Sequence, residues 1–342
     1  MKGRRVILDH IQSKAGLREA AALMVDGRLE DLLIDGIDAP RPGAIFRAIC
    51  DRPIKGMGGM MLRLPGGSGF LRNAKGMRPG QPILVQVTGL AEAGKAVPVT
   101  DRVLFKSRFA IVTPGAPGIN VSRQITDEEE RVRLLAAAHA ASDGAHGIIL
   151  RSAAEGVPET EIEEDLAAME TLASAVLEDL EGQGPEALTE GDGPHVLAWR
   201  EWGGDDVITE AGGFEREGVL DAVEMLRSAA VKLDQGSMFI EPTRALVAVD
   251  VNTGGDTSPA AALKTNLAAA RALPRQLRLR GLGGQVAVDF APMSKANRRQ
   301  LEQSLRALFK ADPVETSLVG WTQMGLFELQ RKRERLPLMQ VL

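Results

Sequence analysis

Two short apolar segments in the last third of the chain, RALVAVDVNT and GGQVAVDF, each run into an aspartate, and one long helical stretch separates them. This arrangement constrains the fold more than any other feature. Ala245 to Val249 form a continuous apolar run between Pro242 and Gly254-Gly255, the pattern of a strand buried on both faces of a parallel sheet. Asp250 and Asn252 follow. Strand side chains repeat with period two, so these polar groups point to one side where strand meets loop. Thr257 or Ser258 is placed to cap a helix with Pro259 in its first turn. That helix should run through KTNLAAARALPRQLRLR, kink at Pro274 and stop at Gly281, Gly283 and Gly284. Gln285 to Val288 then read as a second strand ending in Asp289. A strand, helix, strand crossover returns parallel and usually adjacent strands.

Adjacent strands lie about 4.8 Å apart, so Asp250 and Asp289 should emerge together at the carboxyl ends, where open α/β sheets bind ligands. One divalent ion can bridge such a pair. Mg²⁺ takes one or two protein carboxylates, keeps several waters and fills its other positions with phosphate oxygens. Asn252, both donor and acceptor, suits orientation of Asp250 or of a phosphate. The competing reading is two solvated aspartates at strand ends. Charge favours the first: from Lys264 to Arg335 there are 14 Lys and Arg against six Asp and Glu, and phosphate backbones bind largely through such excess.

The chain has 342 residues, 44 % of them hydrophobic, enough for two to four domains or subdomains. No apolar run can span a bilayer, and MKGRRVILDHIQSK lacks the form of a signal peptide; a cytoplasmic location is expected. Cys50 is the single cysteine, which excludes an internal disulfide and a cysteine-only zinc site. The net charge of −5 means that nucleic-acid binding must be local. The acids concentrate between Glu155 and Gly193, where no Lys or Arg occurs. Within it TEIEEDLAAMETLASAVLEDL places Ile162, Leu166, Met169, Leu172, Val176 and Leu180 on one face of an outer helix, and GQGPEALTEGDGP reads as a loop. Residues 43 to 103 alternate short apolar runs with glycine and proline, as in a barrel or sandwich.

The strings VDVNTGGD, KTNLAAARALPRQLRLRGLGGQVAVDF and MGLFELQRKR resemble the catalytic region of the ribonuclease E/G family of bacterial endoribonucleases. The resemblance implies that Asp250, Asn252 and Asp289 are catalytic, that Asp250 and Asp289 hold Mg²⁺, and that single-stranded RNA is hydrolysed. It implies an α/β and β multidomain fold: a DNase I-like catalytic α/β subdomain at 236–342, an S1/OB-type RNA-binding barrel at 41–104, a 5′-sensor-like α/β subdomain with the acidic helix at 105–194, and an RNase H-like structural subdomain split between 1–40 and 195–235. In the last of these, REAAALM is expected to be helical. Phe70 matches a base-stacking position and Lys95 an RNA-contacting lysine; a second stacking phenylalanine is replaced by methionine at Met60 or Met61. Arg151 and Ser152 match a pocket for the 5′ monophosphate of RNA, an arginine fork and a hydroxyl being suited to a phosphate dianion, while Ser107 stands where the family tends to have glycine. The sequence ends at Leu342 without a cysteine-bearing zinc-link segment, so an oligomer sharing a zinc ion is not expected; a homo-oligomer through another surface is left open. The alternative to an enzyme is an RNA-binding protein that keeps this fold with little or no turnover.

Overall fold

A computed structural model describes residues 3–36, 40–54, 56, 58–91, 94–204, 206–256 and 258–342. Thr257 and Met57 lie outside the described residues. The chain forms two compact units, Met1–Asp38 with Gly204–Leu342, and Ala39–Gly203.

The first unit contains two sheets. In the larger, six strands lie in the order Ala230–Lys232, Ser237–Pro242, Val247–Asn252, Gly284–Asp289, Phe327–Arg331, Thr316–Trp321. Only the central pair, Val247–Asn252 with Gly284–Asp289, is parallel. The crossover between them is the helix Pro259–Leu279, started by Ser258, whose hydroxyl accepts from the Ala261 N–H at 3.2 Å. Pro274 lies buried within it. The helix Lys295–Ala311 follows the second strand. Both helices lie against one face of the sheet, where Val247, Val249, Val251, Val286 and Val288 meet Ala270, Leu273, Leu277, Leu301, Leu305 and Phe309 in one core. Each of the valine, leucine and phenylalanine side chains contributes about 1.5–3 kcal/mol on burial.

The expectation of strands buried on both faces is corrected here. Along Val247–Asn252 buried residues alternate with half-buried or exposed ones, Ala248, Asp250 and Asn252 occupying the other side. Ala245 and Leu246 belong to the preceding turn, in which the Thr243 N–H donates to the Leu246 carbonyl at 2.8 Å. The mixed sheet therefore has one helix-covered face and one open face, as sheets with antiparallel pairs commonly do.

The second sheet of this unit has the order Val207–Ile208, Arg4–Ser13, Gly16–Val25, Arg28–Ile34. REAAALM is thus strand, not the expected helix. Ten register pairs tie Gly16–Val25 to Arg4–Ser13, and Ala20, Ala21 and Ala22 are fully buried. Pairing on both sides overrides the helical preference of an alanine-rich segment. The turn Asp26-Gly27, with φ of 50° and 76°, is the hairpin signal that marks it.

The second unit is built around a closed five-stranded barrel, consistent with an OB-type barrel. Its strands Ile45–Ile54, Gly59–Leu64, Gly67–Leu71, Val97–Thr100 and Pro82–Val87 are closed by pairing of the first with the last. Glu186–Thr189, inside the stretch read as a loop, adds to the outside of Ile45–Ile54. The side chain that secures it is distant in sequence: Arg47, buried in the barrel strand, donates to the Gly184 carbonyl at 2.9 Å and pairs with Glu186. Beside the barrel, a four-stranded sheet of Gly118–Val121, Gly147–Leu150, Ala110–Thr113 and Phe105–Lys106 carries the helices Glu128–Ala141 and Glu159–Glu178. Ile162, Leu166 and Val176 of the acidic helix are buried in that core. Leu172 and Leu180, expected on the same face, are exposed.

Candidate functional site

Asp250 and Asp289 are register partners on the parallel central strands, and both are exposed on the open face. Asp289 ends its strand, and Asn252 lies two residues beyond Asp250 on the same side. The Asn252 amide Nδ2 donates to Asp250 Oδ2 at 2.6 Å. This bond fixes one carboxylate oxygen and leaves the other to the open face. The turn into the neighbouring strand closes tightly against the pair: a Cβ on Gly236, whose φ is +75°, would sit 2.0 Å from the Asn252 carbonyl oxygen. Only glycine meets both the positive φ and the close approach.

The segment after Asp289 is held by a residue that sequence reading passed over. Asn266, fully buried in the crossover helix, donates from Nδ2 to the Ala291 carbonyl at 2.9 Å and accepts from the Ala291 N–H at 3.0 Å. It lies on the apolar stripe Ala262, Ala270, Leu273, Leu277. A polar residue in such a stripe signals a buried hydrogen bond, since an unpaired buried amide costs about 1–3 kcal/mol.

Asp256, in the short loop after Asn252, is used locally. Its Oδ1 accepts from the Ser258 N–H at 2.8 Å, and this bond holds its carboxyl below the usual range. Among the described residues no group of three or more His, Cys, Asp and Glu side chains is arranged to bind a metal.

Part of the basic excess of this region is internal and is not a phosphate surface. Arg278 pairs with Asp312, Glu30 and Asp31, and Arg331 with Asp312 at 2.9 Å, with both arginines and Asp312 almost wholly buried. Arg335 pairs with Asp31, and Arg280, buried, reaches Gln276 and the Ser228 carbonyl. Burial, then repulsion from Arg275, pushes Arg280 down to about 10. The crossover helix packs on the covered face, opposite the aspartates, so Arg278, Arg280, Arg331 and Arg335 do not belong to the basic border expected around the acidic pair. Three of the 14 cations, Arg278, Arg331 and Arg335, thus neutralise Asp31 and Asp312, whereas Lys264, Arg271, Lys295, Arg299, Arg306 and Lys310 stay exposed.

In the barrel, Phe70 is half-buried on the outer surface, opposite Met61 on one side and Pro98 on the other. Met61 in turn pairs with exposed Arg52. Met60 points into the barrel core, so Met61 is the outward residue beside Phe70. The ring needs Gly59 beneath it, where a Cβ would lie 2.5 Å from Phe70 Cε2. Lys95 is exposed, as are Arg52, Arg63, Arg72, Lys75 and Arg78.

Arg151 follows the strand Gly147–Leu150 and is engaged: Nη1 donates to the Ser107 carbonyl at 2.7 Å and Nη2 pairs with Glu201. Burial would raise the Glu201 carboxyl, but Arg200 and Arg151 together hold it below its usual range. Ser152 is exposed and begins a short 3₁₀ turn. Ser107, the altered position, hydrogen-bonds Asp165, which also accepts from the Phe109 N–H at 3.2 Å. Glu201 went unnoticed in the sequence because its partner lies 50 residues away.

Fold and site together define a mixed α/β protein with an OB-type barrel in one unit and an in-register carboxylate pair on an open sheet in the other. The ribonuclease E/G family model matches residues 105–209 and 206–334. The chain is 30 % identical over 300 residues to ribonuclease E of Nostoc sp., covering 75 % of this chain and 44 % of that protein. It is 29 % identical over 304 residues to ribonuclease G of Escherichia coli K12, covering 76 % of this chain and 61 % of that one. The chain belongs to the ribonuclease E/G family. The alignments span less than two thirds of the length of these relatives.

Proposed function

We propose that the chain is a metal-dependent endoribonuclease that hydrolyses phosphodiester bonds in single-stranded RNA. The observation that carries this reading is the placement of Asp250 directly opposite Asp289 on an open sheet face, within a family whose named members are ribonucleases. Asp250 and Asp289 would hold Mg²⁺. The chemistry such an ion supplies when bound is acidification of water and neutralisation of charge developing at phosphorus. Asn252 presets the Asp250 carboxylate through its 2.6 Å bond, and Asn266 fixes the backbone that follows Asp289. In this reading the six-stranded sheet is the DNase I-like catalytic subdomain, the four-stranded sheet of the same unit the RNase H-like one, and the barrel an S1-type module. Phe70, Met61 and Lys95 hold the single strand there by stacking and charge. Arg151 and Ser152 form the receptor for a 5′ phosphate, which must displace Glu201 from Arg151. Discrimination between 5′ monophosphate and 5′ hydroxyl is accordingly weaker than an open arginine would provide.

The test is cleavage of a 5′-monophosphorylated single-stranded oligoribonucleotide with and without Mg²⁺. Wild type is expected to cut only with the ion, and Asp250→Asn and Asp289→Asn to lose at least about 10²-fold, the scale set by removing one strong electrostatic group from a reaction centre. Salt-sensitive RNA binding without Mg²⁺-dependent cutting would establish the binding protein instead.

A further inference from the structure

The row of residues that contains the carboxylate pair extends one strand further. Phe239 on Ser237–Pro242 is the register partner of Asp250, which is the partner of Asp289. Of the nine phenylalanines in the chain, Phe239 alone is exposed, with 38 % of its surface open, the others being buried or half-buried. A single exposed apolar side chain needs no explanation by itself. The surroundings of this one do call for one. Its row neighbour on the outer side is Ala230, and the residues two before and after it on its own strand are Ser237 and Glu241. The next row of the open face holds Ala248 and Ala287. The register and strand neighbours of the ring on the open face are therefore small or polar, and none of them is a large apolar side chain, although the interior of the same sheet is densely filled.

We propose that Phe239 is a stacking platform for a nucleobase flanking the scissile phosphate, making this edge of the open face a base-binding subsite. The proposal rests on the nuclease reading of Asp250 and Asp289. A phosphate held at that pair leaves the base of an adjoining nucleotide to lie over a neighbouring strand, and neighbouring strands are about 4.8 Å apart. On the side of Asp250 away from Asp289, the side chain at that spacing is Phe239. Every base has a π-face, so the subsite tolerates sequence while fixing the strand relative to the carboxylates. Asp250 beside the ring opposes a bare phosphate there, which places the base rather than the backbone over Phe239. Exposed Lys232, in the row of Ser237 and Asn252, is a cation on this face placed for an adjacent phosphate.

The experiment uses the full chain and a single-stranded oligoribonucleotide carrying 2-aminopurine at successive positions, whose fluorescence is quenched by stacking. In Asp289→Asn, which removes turnover but leaves Phe239 in place, one position is expected to be quenched on binding, and adding Phe239→Ala is expected to relieve that quench. In the cleaving enzyme Phe239→Ala should reduce kcat/KM by roughly 5- to 100-fold, Phe239→Trp should retain activity, and Phe239→Leu, which keeps apolar bulk without a ring, should fail like alanine. Replacing the stacked base by an abasic site should abolish the difference between wild type and Phe239→Ala. Full activity of Phe239→Leu, or a Phe239→Ala loss that persists on the abasic substrate, would overturn the stacking role. Unchanged kcat/KM in Phe239→Ala together with loss in Asp289→Asn would remove the subsite and leave the nuclease reading standing. Full activity of Asp289→Asn would remove both. Because Phe239 lies on the open face, an unchanged thermal transition for its variants is the expected folding control.

Discussion

Arginine is abundant in two regions of this chain, and some of those around the six-stranded sheet are used in a way that none on the barrel surface is. Around the six-stranded sheet, Arg278 and Arg331 are buried against Asp312, and Arg335 against Asp31. On the barrel, Arg52, the register partner of Met61, and Arg63 on the same strand as Met61 stand exposed, as do Arg72 and Arg78 in the loop after Phe70. Counting charge along the sequence ranks the first region as the stronger candidate for binding RNA; burial removes Arg278, Arg280 and Arg331 from that count. A guanidinium that has surrendered its hydrogen bonds to carboxylates in the interior has none left for phosphate, and its removal is felt as lost stability. An exposed one can exchange counterions for phosphates.

The sharpest break of this contrast comes from Asp312→Ala. It leaves Arg278 and Arg331 buried without their shared carboxylate, and should cost about 3–5 kcal/mol, read from urea unfolding. Whatever RNA affinity the folded fraction has should keep its salt dependence. The converse is the triple variant Arg52→Gln, Arg63→Gln, Arg72→Gln. It should lower the slope of log affinity against log salt by about 2, at roughly 0.7 per contact for single strands, with each substitution shifting stability by no more than about 0.5 kcal/mol. An unchanged slope would exclude the barrel as the RNA surface.

Arg151 lies between these extremes, engaged but reachable, with a fifth of its side chain exposed. Glu201→Gln weakens its internal partner, and the ratio of cleavage rates for 5′-monophosphate over 5′-hydroxyl substrates should rise by a few fold, about 1 kcal/mol or less for a partly exposed pair. No change would mean that Arg151 is purely structural. The smallest effect is in pH. Burial raises the Asp31 carboxyl, yet Arg335 and Arg278 outweigh it and hold it below its ordinary value. A depressed carboxylate contributes stability that is complete above about pH 4 and is lost as pH falls through its folded-state value. Urea midpoints for wild type should therefore decline below pH 4, and Asp31→Asn, less stable at neutral pH, should decline less.

Where sequence reading failed, it failed for a shared reason. REAAALM carries helix-forming residues but lies in a strand, Gly16–Val25, that pairs along ten positions with Arg4–Ser13, and GQGPEALTEGDGP looks irregular until Arg47, more than 130 residues earlier, draws Glu186–Thr189 onto the barrel. Asn266 was legible in principle as a polar interruption of an apolar stripe, whereas its partner Ala291 was not.

The order of apolar runs, capping residues and glycines in the chain was sufficient to determine a strand, helix, strand unit that brings Asp250 and Asp289 onto neighbouring strands, because period and chirality are local and leave few ways to connect two strands. The division of the barrel segment into short strands was likewise written in its glycines and prolines. Which face of the sheet stayed open, which arginines were consumed by Asp31 and Asp312, and that Phe239 alone among nine phenylalanines faces solvent beside the carboxylates were decided only by tertiary packing. Burial and charge pairing depend on neighbours far away in the chain, and no local pattern encodes them.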